Sequence, residues 1–171
     1  MPLQSTPRRI VFEKKAIIWI NHFFIFYCEV DNITAFYWPN LSNSDMKRVH
    51  FTQEFLFRAS PTILYKFLTT PSCLIRWFCD EVDIQGDTYT FMWQGSEEVA
   101  EIIDDIEEEL IRFHWEEADD DDEYLEFKIS KSPVTGETIL EITDFCDEDE
   151  QEDQQQLWIS QMRQLKAEMG G

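Results

Sequence analysis

Carboxylates are the commonest reactive groups in this sequence: 35 of its 171 residues are Asp or Glu, against 14 Lys and Arg. Acid–base catalysis by a pair of carboxyls needs their pKa values pushed apart, which takes burial or a close charge. Most of the acidic residues fall in runs such as IIDDIEEE and EEADDDDE, which have the composition of solvated turns. Glu141 and Asp144 differ, because they interrupt an otherwise apolar strand-like run, ETILEITDF. One of the two can face inward, so they are the acidic residues to test for proton transfer. No catalytic residue is assigned from the sequence.

Nucleophiles and metal ligands leave weaker marks. Cys28, Cys73, Cys79 and Cys146 show neither the paired CxxC spacing of a zinc site nor the density of a disulfide scaffold, which points to reduced thiols in a cytoplasmic protein. His22, His50 and His114 stand far apart with no HxxxH or HExxH context, so no metal site is expected. GxSxG is missing, and five glycines are too few for a Gly-rich phosphate cradle, so no cofactor is expected either. The formal charge of −21 repels phosphate backbones and anionic lipid headgroups, which disfavours nucleic acid and membrane surfaces as partners.

That charge is not evenly spread. Residues 1–45 carry four basic and four acidic groups, which leaves 10 basic and 31 acidic residues, and the whole net charge, for 46–171. Nine of the first 45 residues are aromatic and follow neither helical nor strand period. The apolar stretch from Ala16 to Cys28 falls short of the roughly 20 residues of a membrane span, and it lacks the small-residue cleavage site of an export signal. Residues 1–45 are therefore expected to be an N-terminal extension outside the domain. Met46 opens the first well-patterned strand, so an over-extended start site is one account of that extension.

From Met46 onward the periodicities are legible. Val49, Phe51, Gln53, Phe55 and Phe57 alternate with His50, Thr52, Glu54, Leu56 and Arg58, which predicts a first strand with one buried face. Ser60-Pro61 and Thr70-Pro71 each supply a cap followed by a preset first helical position, so two short helices come next. Turn residues then separate short alternating runs: Val82 to Gln85, Tyr89 to Trp93, Val99 to Ile103, Ile111 to Trp115, Leu125 to Ile129, and Thr138 to Phe145. The total is about seven antiparallel strands, enough to require curling or a cover. The cover is a long C-terminal helix over residues 148–169, where Trp158, Met162, Leu165 and Met169 form a stripe. Acidic residues near its start and Arg163 and Lys166 near its end suit the helix dipole.

This order of elements, with the segments SPTILYKFLTTP, RWFCDEV, EEVAEII, LIRFHW and ETILEITDF, resembles the START-like (SRPBCC) superfamily and within it the branch around the activator of heat-shock-protein ATPase. The resemblance covers about residues 48–168 and implies an α+β helix-grip fold, with a curved antiparallel sheet wrapped on the C-terminal helix and a cavity between them. Alternation aims Phe55, Phe57, Phe91, Trp93, Phe113, Trp115, Phe127 and Leu140 at one face, where Trp158 and Met162 of the helix join them as candidate ligand-lining groups. The same rings can instead fill the cavity. Three uses follow from the resemblance: a carrier or sensor of a small hydrophobic ligand, an acidic co-chaperone-like module docking on a basic protein surface, or a cyclase- or hydrolase-type enzyme. The acidic hairpins depart from the commoner family members, so a family partner surface does not transfer directly.

Overall fold

The computed structural model describes residues 47–118 and 120–170; the N-terminal extension and the start-site question lie outside them. In chain order the elements are β1 (Arg48–Phe57), α1 (Pro61–Thr69), α2 (Pro71–Leu74), β2 (Glu81–Gln85), β3 (Thr88–Trp93), β4 (Ser96–Ile106), β5 (Leu110–Trp115), β6 (Leu125–Lys131), β7 (Thr138–Asp147) and α3 (Gln151–Glu168). The α+β helix-grip architecture expected from the sequence is present.

All seven strands form one antiparallel sheet in the order β1-β7-β6-β5-β4-β3-β2, a meander with the first strand laid against the last. In β1 the odd residues from Val49 to Phe57 are wholly or partly buried and the even residues from His50 to Leu56 are exposed, as period-2 alternation dictates. Register carries that covered face across the sheet. Phe55 pairs with Leu140, Leu140 with Ile129, Phe127 with Ile111, Phe113 with Ile102, and Ala100 with Tyr89.

Two local devices shape the sheet. Gln94 and Gly95 form a two-residue turn between Trp93 and Ser96 with φ of 48° and 89°, the positive pair that matches strand twist in a tight hairpin. Between Ile102 and Asp104 the β4–β5 register shifts, so Asp105 rather than Asp104 lies opposite Ile111. Tyr65 of α1 then donates its hydroxyl to Asp105 at 2.5 Å. The shift explains why β4 runs three residues beyond the end expected at Ile103: the alternation changes phase there while pairing continues.

The helices close the covered face. Ser60 Oγ accepts the N–H of Ile63 to cap α1, which buries Leu64, Phe67 and Leu68. Trp77, just past α2, donates its indole N–H to the Phe67 carbonyl at 2.9 Å and ties the helical pair into the core. Along α3, Trp158, Met162 and Leu165 are buried while Met169 is only partly so. Burial of each such side chain contributes about 1.5–3 kcal/mol. The helix begins at Gln151 rather than 148, because the backbone after β7 first turns through Asp147–Glu150.

Candidate functional site

The covered face of the sheet holds eight of the ten residues expected to line a cavity, Trp158 and Met162 of α3 lie over it, and their side chains pack chiefly on one another. Phe127 meets Trp158 edge-on at 5.6 Å between ring centroids and Phe113 at 6.5 Å; Phe91 lies 6.1 Å from Phe113 and 5.7 Å from Trp115. Phe57, Leu140 and Met162 are buried in the same cluster, and Phe55 packs against its edge. Lys166 of α3 covers the Phe57 ring at 5.2 Å.

Polar groups interrupt this apolar face at a few points. Asp144 is on β7 opposite Phe51 and is buried. Its Oδ2 accepts the indole N–H of Trp158 and the side-chain amide of Gln154, both at 2.8 Å, and its Oδ1 accepts the N–H of Phe145 at 2.9 Å. Burial pushes the Asp144 carboxyl up, while those three donors and the charge of Arg48 pull the other way. With both oxygens engaged, Asp144 fixes α3 to the sheet. Glu141 has the opposite fate. It projects from the other face of β7 and pairs with Lys128 at 3.2 Å. The two carboxylates singled out by the sequence thus stand on opposite faces, Asp144 inward and bonded to α3, Glu141 outward and paired with Lys128.

Glu98 is a carboxylate of another kind. It sits on the covered face of β4, directly opposite Phe91, and its Oε1 is buried with no hydrogen-bond partner. Burial, and secondarily the charge of Glu117, pushes its carboxyl up to about 7.

Where α3 meets the segment between α2 and β2, an open groove of about 310 Å³ remains. Trp77, Phe78 and Trp93 give it aromatic walls, and Asp80, Gln161 and Gln164 give it polar ones. Phe78 stands edge-on to Trp93 at 5.4 Å, and Trp93 donates its indole N–H to the Phe78 carbonyl at 2.6 Å. The Oε1 of Gln161 is buried without a partner. Of the ten expected lining residues, only Trp93 borders this groove. Of the other wall residues, none of them expected to line a site, Phe78, Cys79 and Asp80 lie in the connection after α2, and Leu157 and Gln161 lie on the flank of α3 beside its apolar stripe. Cys79 in the groove wall is pushed up to about 12 by burial, so its thiol stays protonated at neutral pH.

A family model described as the START-like superfamily domain matches residues 45–171, close to three quarters of the chain. The chain belongs to the START-like superfamily. No curated protein matches it. Among solved structures, this START-like chain is similar to BfR322 from Bacteroides fragilis at 36% identity, with 71% of this chain and 91% of that one covered and a TM-score of 0.54. It also resembles the Aha1 dimer from Colwellia psychrerythraea at 18% identity, covering 69% and 93% with a TM-score of 0.58. EF2215 from Enterococcus faecalis, described as a conserved protein of unknown function, is 22% identical over 71% of each chain with a TM-score of 0.56. The last two likenesses concern the fold alone. Among the described residues, no helix is long and apolar enough to cross a membrane, and no group of three or more His, Cys, Asp or Glu is arranged to hold a metal.

Proposed function

We propose that this START-like domain binds a small, largely apolar ligand in the groove between α3 and the Trp77–Asp80 segment. The observation that carries the reading is a groove of about 310 Å³ with aromatic walls beside a buried, unpartnered acceptor, Gln161 Oε1. Small-molecule sites are concave, combine apolar walls with placed polar groups, and have volumes from about 300 Å³; here the aromatic walls stand beside a polar rim of Asp80, Gln94, Ser160, Gln161 and Gln164. The packed rings behind the groove act as a rigid floor, which lowers the ordering cost of binding.

Native mass spectrometry of the protein from its own cells tests this, with a Ser160→Trp variant, whose new ring occupies the groove, as control. The expected result is a bound small-molecule mass that disappears in the variant while the melting temperature holds. A bare polypeptide mass in the wild type, or a ligand retained unchanged by the variant, removes the reading.

A further inference from the structure

The hydrogen-bonding groups in the wall of the α3 groove are unevenly spent. On the donor side, Trp77 gives its indole N–H to the Phe67 carbonyl at 2.9 Å, and Trp93 gives its own to the Phe78 carbonyl at 2.6 Å. The side-chain amide of Gln164 donates to the Arg76 carbonyl at 2.9 Å, which leaves its Oε1 to accept. On the acceptor side, Asp80 takes the Gln94 N–H on Oδ2 at 2.6 Å. That bond holds an exposed carboxylate at the rim, beside the residue that follows Trp93, and leaves Oδ1 for a donor from outside.

Charge runs the same way. Among the described residues that line the groove, Asp80 alone carries a formal charge. Arg76, the nearest cation along the chain, is tied to Glu168 at 2.8 Å. From Trp77 to Ile111 the chain holds 12 acidic residues and no basic one. A cleft with apolar walls beside such a stretch concentrates cations and repels anions.

We propose that the ligand of this groove carries a primary or secondary ammonium group, which docks on Asp80 while the apolar remainder lies against Trp93 and Phe78. An ammonium supplies both things the wall lacks, N–H donors and positive charge, and its bond to a carboxylate is charge-assisted. A hydroxyl in the same place makes the weaker bond of a neutral donor, and a carboxylate end is repelled. A quaternary ammonium has the charge but no N–H for Oδ1. This inference rests on the ligand-binding reading above and specifies the ligand class.

The test is a titration of the intact protein with 2-phenylethylamine, 2-phenylethanol and 3-phenylpropanoate at about 0.15 M ionic strength, where loose long-range attraction is screened. Binding is followed on the indole N–H resonance of Trp93. The amine should bind saturably and roughly ten-fold more tightly than the alcohol, with the carboxylate weakest. Asp80→Asn keeps an acceptor for the Gln94 N–H; it should abolish the preference for the amine and leave the affinity for the alcohol unchanged. Asp83→Asn, which removes an exposed carboxylate of β2 outside the groove wall, should leave the preference intact. Equal or tighter binding of the alcohol or the carboxylate overturns the ammonium site while leaving a ligand groove in place. A preference that survives Asp80→Asn, or that falls equally in Asp83→Asn, also overturns it, as does loss of the alcohol together with the amine in Asp80→Asn. Absence of saturable binding by all three probes overturns it too, and the native-mass measurement then judges the groove separately.

Discussion

Replacing Trp158 with Phe separates what its ring does from what its N–H does. The phenyl ring can keep the contact with Phe127, but the donor to Asp144 at 2.8 Å is lost. Hydrogen bonds to charged groups contribute about 1.5–3 kcal/mol. The smaller ring also forgoes some apolar burial, at most about 1 kcal/mol by area. The expected loss is about 3 kcal/mol, a substantial fraction of the roughly 5–15 kcal/mol that holds a domain together.

The pH dependence carries the sharper signature. Because the folded-state pKa of Asp144 is raised, its stability contribution is fully present below the unfolded pKa and is lost as pH rises through the folded one. Removing the indole donor penalises the ionised carboxylate most, so the deficit of the variant should grow as pH rises. Urea unfolding at about pH 5 and about pH 8, read by far-UV circular dichroism, measures both quantities. A loss under about 1 kcal/mol, or the same loss at both pH values, refutes the assignment of Trp158 N–H as an anchor of ionised Asp144.

Glu98→Gln should raise the melting temperature relative to wild type as pH increases. The carboxyl is raised from 4.5 to about 7, so its favourable contribution is lost across that interval, and with solvent screening of a partly exposed group the difference is about 1–2 kcal/mol; parallel wild-type and variant curves contradict this. Arg48→Met should cost about 3 kcal/mol in chemical denaturation, because it strands the buried carboxylates of Glu123 and Asp147, which Arg48 meets at 2.5 and 3.3 Å. The exposed pair Lys47–Glu148 provides the contrast, and Lys47→Ala should change stability by under about 0.5 kcal/mol. Gly95→Ala should lower stability by about 1 kcal/mol in thermal unfolding, since φ is 89° there and an added Cβ meets no clash beyond the backbone strain. Iodoacetamide labelling at neutral pH, followed by peptide mass spectrometry, should modify half-buried Cys73 well before Cys79 and Cys146, whose thiols are held at about 12 and about 11.

Fold was legible in the sequence wherever one face is buried and the other wet. The alternation from Val49 to Phe57 and the stripe from Trp158 to Leu165 both report a single apolar partner, so period alone fixed their orientation. In EEVAEII the signal fails, because Val99 and Ala100 place apolar groups on both faces; only pairing with Phe91 and Trp115 reveals that Glu98 and Ala100 are the inward set. The β4 bulge hid the strand's end for the same reason, since phase, once shifted, reads as disorder of pattern. The groove was least visible. Its walls come from the connection after α2 and from the flank of α3, whose glutamines look like ordinary solvent-facing residues until the fold sets them against Phe78. Asp144 was singled out for its apolar setting, but the partners that turn it from a reactive group into an anchor sit 10 and 14 residues away, on a different element.

The pairing of β1 with β7 sets the order in which the molecule can be made. Thr52 and Thr143, whose hydroxyls meet at 3.2 Å, are 91 residues apart, and every rung between these two strands joins opposite ends of the described chain. During synthesis β1 emerges before the other strands of the sheet, with a row of phenylalanines and an unpaired backbone edge, and its lasting neighbour β7 is made only after the other five. Folding to the closed sheet therefore waits until β7 has left the ribosome, and in that interval the nascent first strand is the strand with most need of a chaperone's cover.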